Sequence, residues 1–283
     1  YNKKILIVGY GLSGKSVEKK ISKYNCSIDI FDDYKYNNEI DVNNYDFMIV
    51  SPGIKPNHKY LQNKITKFSE FEIGYQLYSN CKWIGITGTN GKSTTVSILG
   101  MIYDNVVGNI GKPVTSLPDK IKYNDSIVTE VSSFQLRFID KFRPNICAIL
   151  NITTDHMDYH KDFEDYKNTK LKIAMNQKED DFILLPYDFE FDNELKSLSK
   201  KIYFGKKLSN KDCVYEENNE VILFLDNVDK KIFNIPDNKL IGYFNKMNII
   251  VAGTIAYLDG KKRNLIEDAI KNFEPLEHRL EHF

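Results

Sequence analysis

The sequence predicts an α/β protein of two domains, with a mainly parallel sheet in the second. Three observations carry that expectation. A strand-like run, Lys3 to Val8, is followed by Gly9-Tyr10-Gly11-Leu12-Ser13-Gly14 and a helical pattern. A second apolar run, Trp83, Ile84 and Ile86, meets Gly88-Thr89-Asn90-Gly91-Lys92-Ser93 and another helical pattern. Near the end, three short β-leaning runs are separated by Asn218-Asn219 and Asp226-Asn227, which reads as an antiparallel meander at the sheet edge.

The second of these organises the chain. Strand, glycine turn, Lys-Ser and helix form the layout of a phosphate-binding loop. Its backbone N–H groups converge on an anion, and the helix dipole adds to them. Lys92 would reach the β/γ-phosphates and Ser93 would offer its hydroxyl to Mg²⁺. The strict pattern wants glycine five residues before Gly91, where Ile86 stands, so a plain glycine turn capping the helix is the competing reading.

The chain has 283 residues, a length that suits two domains and an ample core. Lys+Arg and Asp+Glu both number 39, which argues against a broad nucleic-acid surface. Cys26, Cys81, Cys147 and Cys213 are scattered without metal-like spacing, as expected of thiols in a reducing compartment. No apolar run has the length of a membrane span and no signal-peptide pattern opens the sequence, so a cytoplasmic protein is expected.

In chain order, the first unit continues with a strand over Ser27 to Phe31 ending in Asp32-Asp33, which completes a dinucleotide-type fingerprint. The competing reading is that the glycines only permit close strand–helix packing. Asp46 to Val50 is a third strand leading into Ser51-Pro52-Gly53-Ile54, and Phe71 to Tyr78 is a helix. The boundary falls near Asn80 to Lys82, giving domains over 1–81 and 82–275.

In the second unit, Val107 to Pro113 is a glycine-rich loop. Ser126 to Thr129 and Ile146 to Leu150 are strands followed by Glu130 and by Asp155-His156. Strand ends in a parallel sheet share one edge, so Ser93, Glu130 and Asp155/His156 can converge. A hydroxyl, a carboxylate and an imidazole beside nucleotide phosphates would suit Mg²⁺. The alternatives are a cap for Glu130 and a surface side chain for His156. A helix over Asp162 to Met175 carries Lys170 on the face of Phe163, Tyr166 and Ile173, with Lys167 and Lys172 toward the sides. Pattern alone favours a lysine that snorkels to water. Phe182 to Leu185 and Lys201 to Phe204 are strands, and Asn245 to Leu258 and Lys262 to Asn272 are helices.

Eight motifs run through the chain in order: G-Y-G-L-S-G-K-S-V at 9–17, S-P-G-I at 51–54, G-I-T-G-T-N-G-K-S-T-T at 85–95, G-N-I-G-K-P at 108–113, E-V-S-S-F-Q-L at 130–136, N-I-T-T-D-H-M-D at 151–158, Y-K-N-T-K-L-K-I at 166–173 and H-R at 278–279. Together they resemble the Mur ligases of peptidoglycan synthesis. The short first domain and E-V-S-S-F-Q-L point to the branch that adds D-glutamate to UDP-N-acetylmuramoyl-L-alanine.

The resemblance implies a short Rossmann-like N-terminal domain and a P-loop-type central ATPase domain. It implies that Leu12, Ser13, Asn109 and Ser132 hold the UDP-sugar. Gly88, Thr89, Asn90, Gly91, Lys92, Ser93 and Thr94 would bind ATP, with Asn245 and Arg279 at the nucleoside. Ser93, Glu130, His156 and Lys170 would serve Mg²⁺, and Lys92, Glu130, His156 and Lys170 catalysis. Lys170 stands where the family carries a carbamylated lysine, which reverses the snorkelling preference. Residues 276–283 would lead into a third domain that binds D-glutamate and closes over ATP, so this chain is expected to bind its ligands without completing the ligation. A monomer is expected. Two other classes were open on the residues alone: a nicotinamide-dependent oxidoreductase built on Gly9 to Gly14, and a non-catalytic nucleotide-binding module.

Overall fold

The computed structural model describes residues 2–122 and 125–274. Two sheets organise them. The first contains β1 (Lys3–Val8), β2 (Cys26–Phe31), β3 (Phe47–Val50) and β4 (Thr66–Ser69), in the order β2-β1-β3-β4, all parallel. Helix α1 (Leu12–Ile21) connects β1 to β2, and α2 (Glu70–Leu77) follows β4. Four strands make a single mononucleotide-type half. The nicotinamide reading needs two such halves around a crevice, and the sheet has no second one.

The second sheet has nine strands: β5 (Lys82–Thr87), β6 (Asn105–Gly108), β7 (Ser126–Glu130), β8 (Ile146–Ile149), β9 (Phe182–Pro186), β10 (Lys200–Phe204), β11 (Cys213–Glu217), β12 (Glu220–Leu225) and β13 (Val228–Asn234). Their order is β13-β12-β11-β10-β9-β8-β5-β7-β6. The pairs from β6 to β11 are parallel, and β11-β12-β13 form the expected antiparallel meander. Both meander turns put two residues in the left-handed region, Asn218-Asn219 (φ 53° and 63°) and Asp226-Asn227 (φ 51° and 66°). Asn and Asp tolerate that conformation, and such turns follow the natural twist of a hairpin.

The sheet is covered on both faces, as a parallel sheet must be. Alternate residues of β5 show how. Ile84 and Ile86 join the core under α3 (Lys92–Gly100), α6 (Tyr243–Leu258) and α7 (Arg263–Asn272). Trp83 joins the opposite core with Phe142, Leu136 of α4 (Ser133–Leu136) and Leu171 of α5 (Phe163–Leu171). Phe71 and Tyr78, although they precede residue 82, pack into that second core.

Helix α1 is fastened to the segment after the glycine-rich loop. Ser16 and Thr115 hydroxyls lie 2.7 Å apart, and Lys20 Nζ donates to Leu117 O and Asp119 Oδ1 at 2.7 Å each. Lys23 also pairs with Asp119. The two sheets are therefore joined by charge-assisted bonds across α1.

The first glycine motif has a packing role that the structure makes explicit. A Cβ on Gly14 would lie 2.2 Å from Gly9 O, a main-chain atom that cannot rotate away. We expect Gly14→Ala to lose about 2 kcal/mol or more of stability. It should appear as a lower denaturant midpoint at unchanged slope, and an unchanged midpoint would contradict this packing.

Candidate functional site

The phosphate-loop sequence leaves the C-terminal end of β5 and enters α3. Gly88 (φ 155°) and Gly91 (φ 84°) take conformations that side chains disfavour, and a Cβ on Gly91 would meet Asn248 Oδ1 at 2.6 Å. Asn151, just past β8, pins the loop. Its Oδ1 accepts from Asn90 N at 2.8 Å, its main-chain O accepts from Thr89 N at 3.0 Å, and its Nδ2 donates to Asn90 O at 3.1 Å. Thr89 Oγ1 lies 3.0 Å from the Tyr166 hydroxyl. Lys92 Nζ donates to Gly88 O and Thr89 O at 2.8 Å each. Ser93 is buried and Thr94 partly buried in the first turn of α3. Asn245 and Asn248 of α6 lie on one side, with Nδ2 of Asn248 3.5 Å from Oδ1 of Asn245. Arg279 lies outside the described residues.

Parallel register brings the other groups to this edge. Glu130 ends β7 opposite Ile86, and Ile149 ends β8 opposite Thr87. Glu130 is buried. Its Oε1 accepts from Asn109 Nδ2 at 3.0 Å, and its Oε2 is buried with no hydrogen-bond partner.

Lys170 reaches the same place from α5. It is 2% exposed, its Nζ donates to Gly88 O at 2.8 Å, and it lies 4.8 Å from the Tyr166 ring centroid. The amine does not snorkel. Burial, reinforced by the nearby Lys92 charge, lowers its pKa to about 7, while Asp155 and Glu130 pull weakly the other way. Lys167, placed toward the side by the sequence pattern, is buried as well, but it is paired with Glu164 and Glu194. Lys172 is partly buried and donates to Arg137 O at 3.2 Å.

His156 has φ 55°, an uncommon conformation for a residue with a side chain. Its half-exposed ring packs on Phe134 (4.8 Å between centroids) and lies edge-on to Tyr166 (6.3 Å). Among the described residues no three His, Cys, Asp or Glu side chains gather closely enough to hold a metal by themselves. The charged groups near enough to act on Lys170 are Lys92, Asp155 and Glu130.

A cavity of about 150 Å³ opens beside Glu130, lined by helix and loop residues next to the first sheet (Leu12, Ser13, Pro52 and Glu70) and by Gly108, Asn109, Gly111, Pro113 and Gln135. It includes three of the four side chains expected to hold a sugar nucleotide. The fourth, Ser132, is the N-cap of α4, its hydroxyl and N–H both engaged with Gln135 Oε1.

Several residues escaped the sequence reading. Glu70 and Gln135 line the cavity. A buried network also ties α4 to α5: His160 Nε2 lies 2.9 Å from Ser133 Oγ, its Nδ1 lies 3.1 Å from Asp165 Oδ2, and Arg137 bonds to both His160 and Asp165. Burial, then Arg137, holds this imidazole below its ordinary pKa. The available signal was a second histidine four residues after His156, just before the Asp162 helix cap.

The fold and this edge are those of an α/β protein with a glycine loop of phosphate-loop sequence and a cavity side by side. Comparison with known proteins narrows that class. The Mur ligase middle domain model matches residues 86–256. A UDP-N-acetylmuramoylalanine--D-glutamate ligase of Clostridioides difficile (strain 630) is 38% identical over 319 residues, covering 99% of this chain and 69% of that protein. A protein of the same name from Thermoanaerobacter pseudethanolicus is 32% identical, covering 99% and 68%. In three dimensions the chain is similar to the UDP-N-acetylmuramate:L-alanyl-gamma-D-glutamyl-meso-diaminopimelate ligase of Neisseria meningitides, with a TM-score of 0.62 at 16% identity over 98% of this chain and 100% of that one. The chain belongs to the Mur ligase family of ATP-dependent ligases.

The low pKa of Lys170 has a consequence for stability. Above about pH 7 the folded chain carries this amine neutral, whereas the unfolded chain keeps it protonated up to its ordinary range near 10.5. The unfolded state then binds the extra proton, so this residue makes stability rise with pH across that window. Melting temperatures of the protein and of Lys170→Met, compared from neutral to alkaline pH, should show the rise flattened in the variant. Parallel curves would place the lysine in water.

Proposed function

We propose that the protein acts in peptidoglycan precursor synthesis as the ligase that joins D-glutamate to UDP-N-acetylmuramoyl-L-alanine at the expense of ATP. One observation carries the reading. The Asn109 side chain lines the cavity and also bonds Glu130, which stands next to the phosphate loop. A ligand filling the cavity thus has one end within reach of the nucleotide's phosphates. The names borne by relatives matched over 99% of this chain supply the chemistry of that ligand.

In this reading Leu12, Ser13 and Asn109 hold the sugar nucleotide, with Ser132 supporting the adjoining turn. The N-terminus of α1 faces its diphosphate. The loop from Gly88 to Thr94 wraps the ATP phosphates, and Asn245 approaches the nucleoside. Lys92 turns from Gly88 O and Thr89 O to the transferring phosphoryl group, where its charge is most useful. The substrate carboxylate takes that phosphoryl group, the amine of D-glutamate attacks the acyl phosphate, and ADP and phosphate leave.

A magnesium ion suits what the residues offer. Mg²⁺ commonly uses one or two carboxylates together with phosphate oxygens and water. The orphan Oε2 of Glu130 and the Ser93 hydroxyl fit that pattern, with His156 completing it when ligands are bound. When bound, the ion would neutralise charge on the transferring phosphate. Lys170, with an amine near neutrality at physiological pH, adds CO₂ to become a carbamate and releases a proton. The neutral amine thereby becomes an anionic metal ligand.

Two experiments test this. Calorimetry should show binding of UDP-N-acetylmuramoyl-L-alanine and of Mg-ATP, with Lys92→Ala weakening Mg-ATP by about tenfold or more through loss of a charge-assisted contact. No binding of the sugar nucleotide would sink the assignment, and unchanged ATP affinity in the variant would remove Lys92 from it. Separately, protein equilibrated with ¹³C-bicarbonate should give a carbamate carbon resonance that Lys170→Ala abolishes. A resonance that survives the substitution would locate the adduct elsewhere.

A further inference from the structure

Glu70 is a carboxyl group in an unusual place. It opens α2, is 2% exposed, and yet lines the cavity between the two sheets. Its Oε1 accepts from Thr115 N at 2.6 Å, and the Thr115 side chain also bonds the carboxyl. Among the described residues no charged partner compensates it. Glu72, the next acid on the helix, is turned away and accepts from the N–H groups of Asp140, Lys141 and Phe142. On α1, Lys20 is engaged with Leu117 O and Asp119, and Ser16 with Thr115. Lys112, on the glycine-rich loop, is exposed. Burial therefore dominates and raises the Glu70 pKa to about 7, offset only in part by the bonds from Thr115. The other polar lining side chains, Ser13, Asn109 and Gln135, are neutral.

The same cavity is bounded by the N-terminal end of α1. Its N-cap is Gly11, which makes no side-chain cap bond, and its first turn carries no acid. Free N–H groups at a helix start favour an anion. A ligand diphosphate at that end and a carboxylate at Glu70 would be like charges in a confined, poorly hydrated space, where their repulsion is strong. A protonated carboxyl removes the repulsion and becomes a hydrogen-bond donor.

We propose that Glu70 receives the cavity's ligand as its neutral acid, so that seating a diphosphate-bearing ligand takes up a proton from solution. The inference rests on reading this cavity as the sugar-nucleotide site. Glu70 then discriminates among ligands, since a ligand placing a hydrogen-bond acceptor opposite the carboxyl is favoured over one that offers only a donor.

The probe is UDP-N-acetylmuramoyl-L-alanine, whose diphosphate is a diester and whose carboxyl is already ionised, so the ligand itself does not titrate near neutrality. Calorimetric titrations in two buffers of different ionisation enthalpy should show uptake of roughly half a proton per site near neutral pH. Between about pH 6 and about pH 8 the affinity should fall by about tenfold, as expected for a binding-competent acid titrating midway. Glu70→Gln keeps the acceptor for Thr115 N and supplies a permanent neutral donor. It should bind with no proton uptake and a flat pH dependence. Binding of the natural protein with no proton uptake overturns the inference, and this measurement needs no variant. A pH dependence that persists in Glu70→Gln overturns it too. Absence of binding at all pH values would instead overturn the reading of the cavity, and this inference with it.

Discussion

The parallel alignment of β8, β5 and β7 is the constraint from which the site follows. With Ile86 opposite Glu130 and Thr87 opposite Ile149, three chain segments leave the sheet at one edge. The glycine turn, the Glu130 carboxylate and the Asn151 clamp are set by register rather than by loops that could wander. Gly88 O then receives the amines of both Lys92 and Lys170. Two cationic groups at one carbonyl, one of them deeply buried, cannot both hold their protons comfortably. The electrostatic state of Lys170 is thus a product of strand order.

Much of this was legible in the sequence, for identifiable reasons. Buried parallel strands are continuous apolar runs, so β1, β5, β7 and β8 stood out, and glycine turns marked where they end. Asn-Asn and Asp-Asn announced the meander turns because those residues accept the left-handed conformation. Lys170 was identifiable as inward-facing from helical spacing. Whether it reached water was not, because that depends on the Gly88 carbonyl, 82 residues away in the chain.

What escaped has a common cause. β4 and β6 are four-residue strands at or near sheet edges, Thr66–Ser69 and Asn105–Gly108, too short and too polar to show a period. Lys167 looked lateral, and only the fold brings Glu194 to pair with it. Glu70 stands in the first turn of α2, where acids are favoured, so nothing local singles it out. Its burial arises because the segment carrying Thr115 packs over α2. His160 and Ser133 are 27 residues apart and meet only after α4 and α5 dock. These are long-range facts, and no local pattern encodes them.

The bonds from α1 to the 115–119 segment bear on how a ligand arrives. Ser16, Lys20 and Lys23 hold the first sheet against the second before anything enters the cavity. The gap between Leu12 and Asn109 is thus flanked by contacts that need no ligand. A ligand that uses these walls finds part of their spacing set by contacts made on folding, and each such contact lowers the ordering cost of binding.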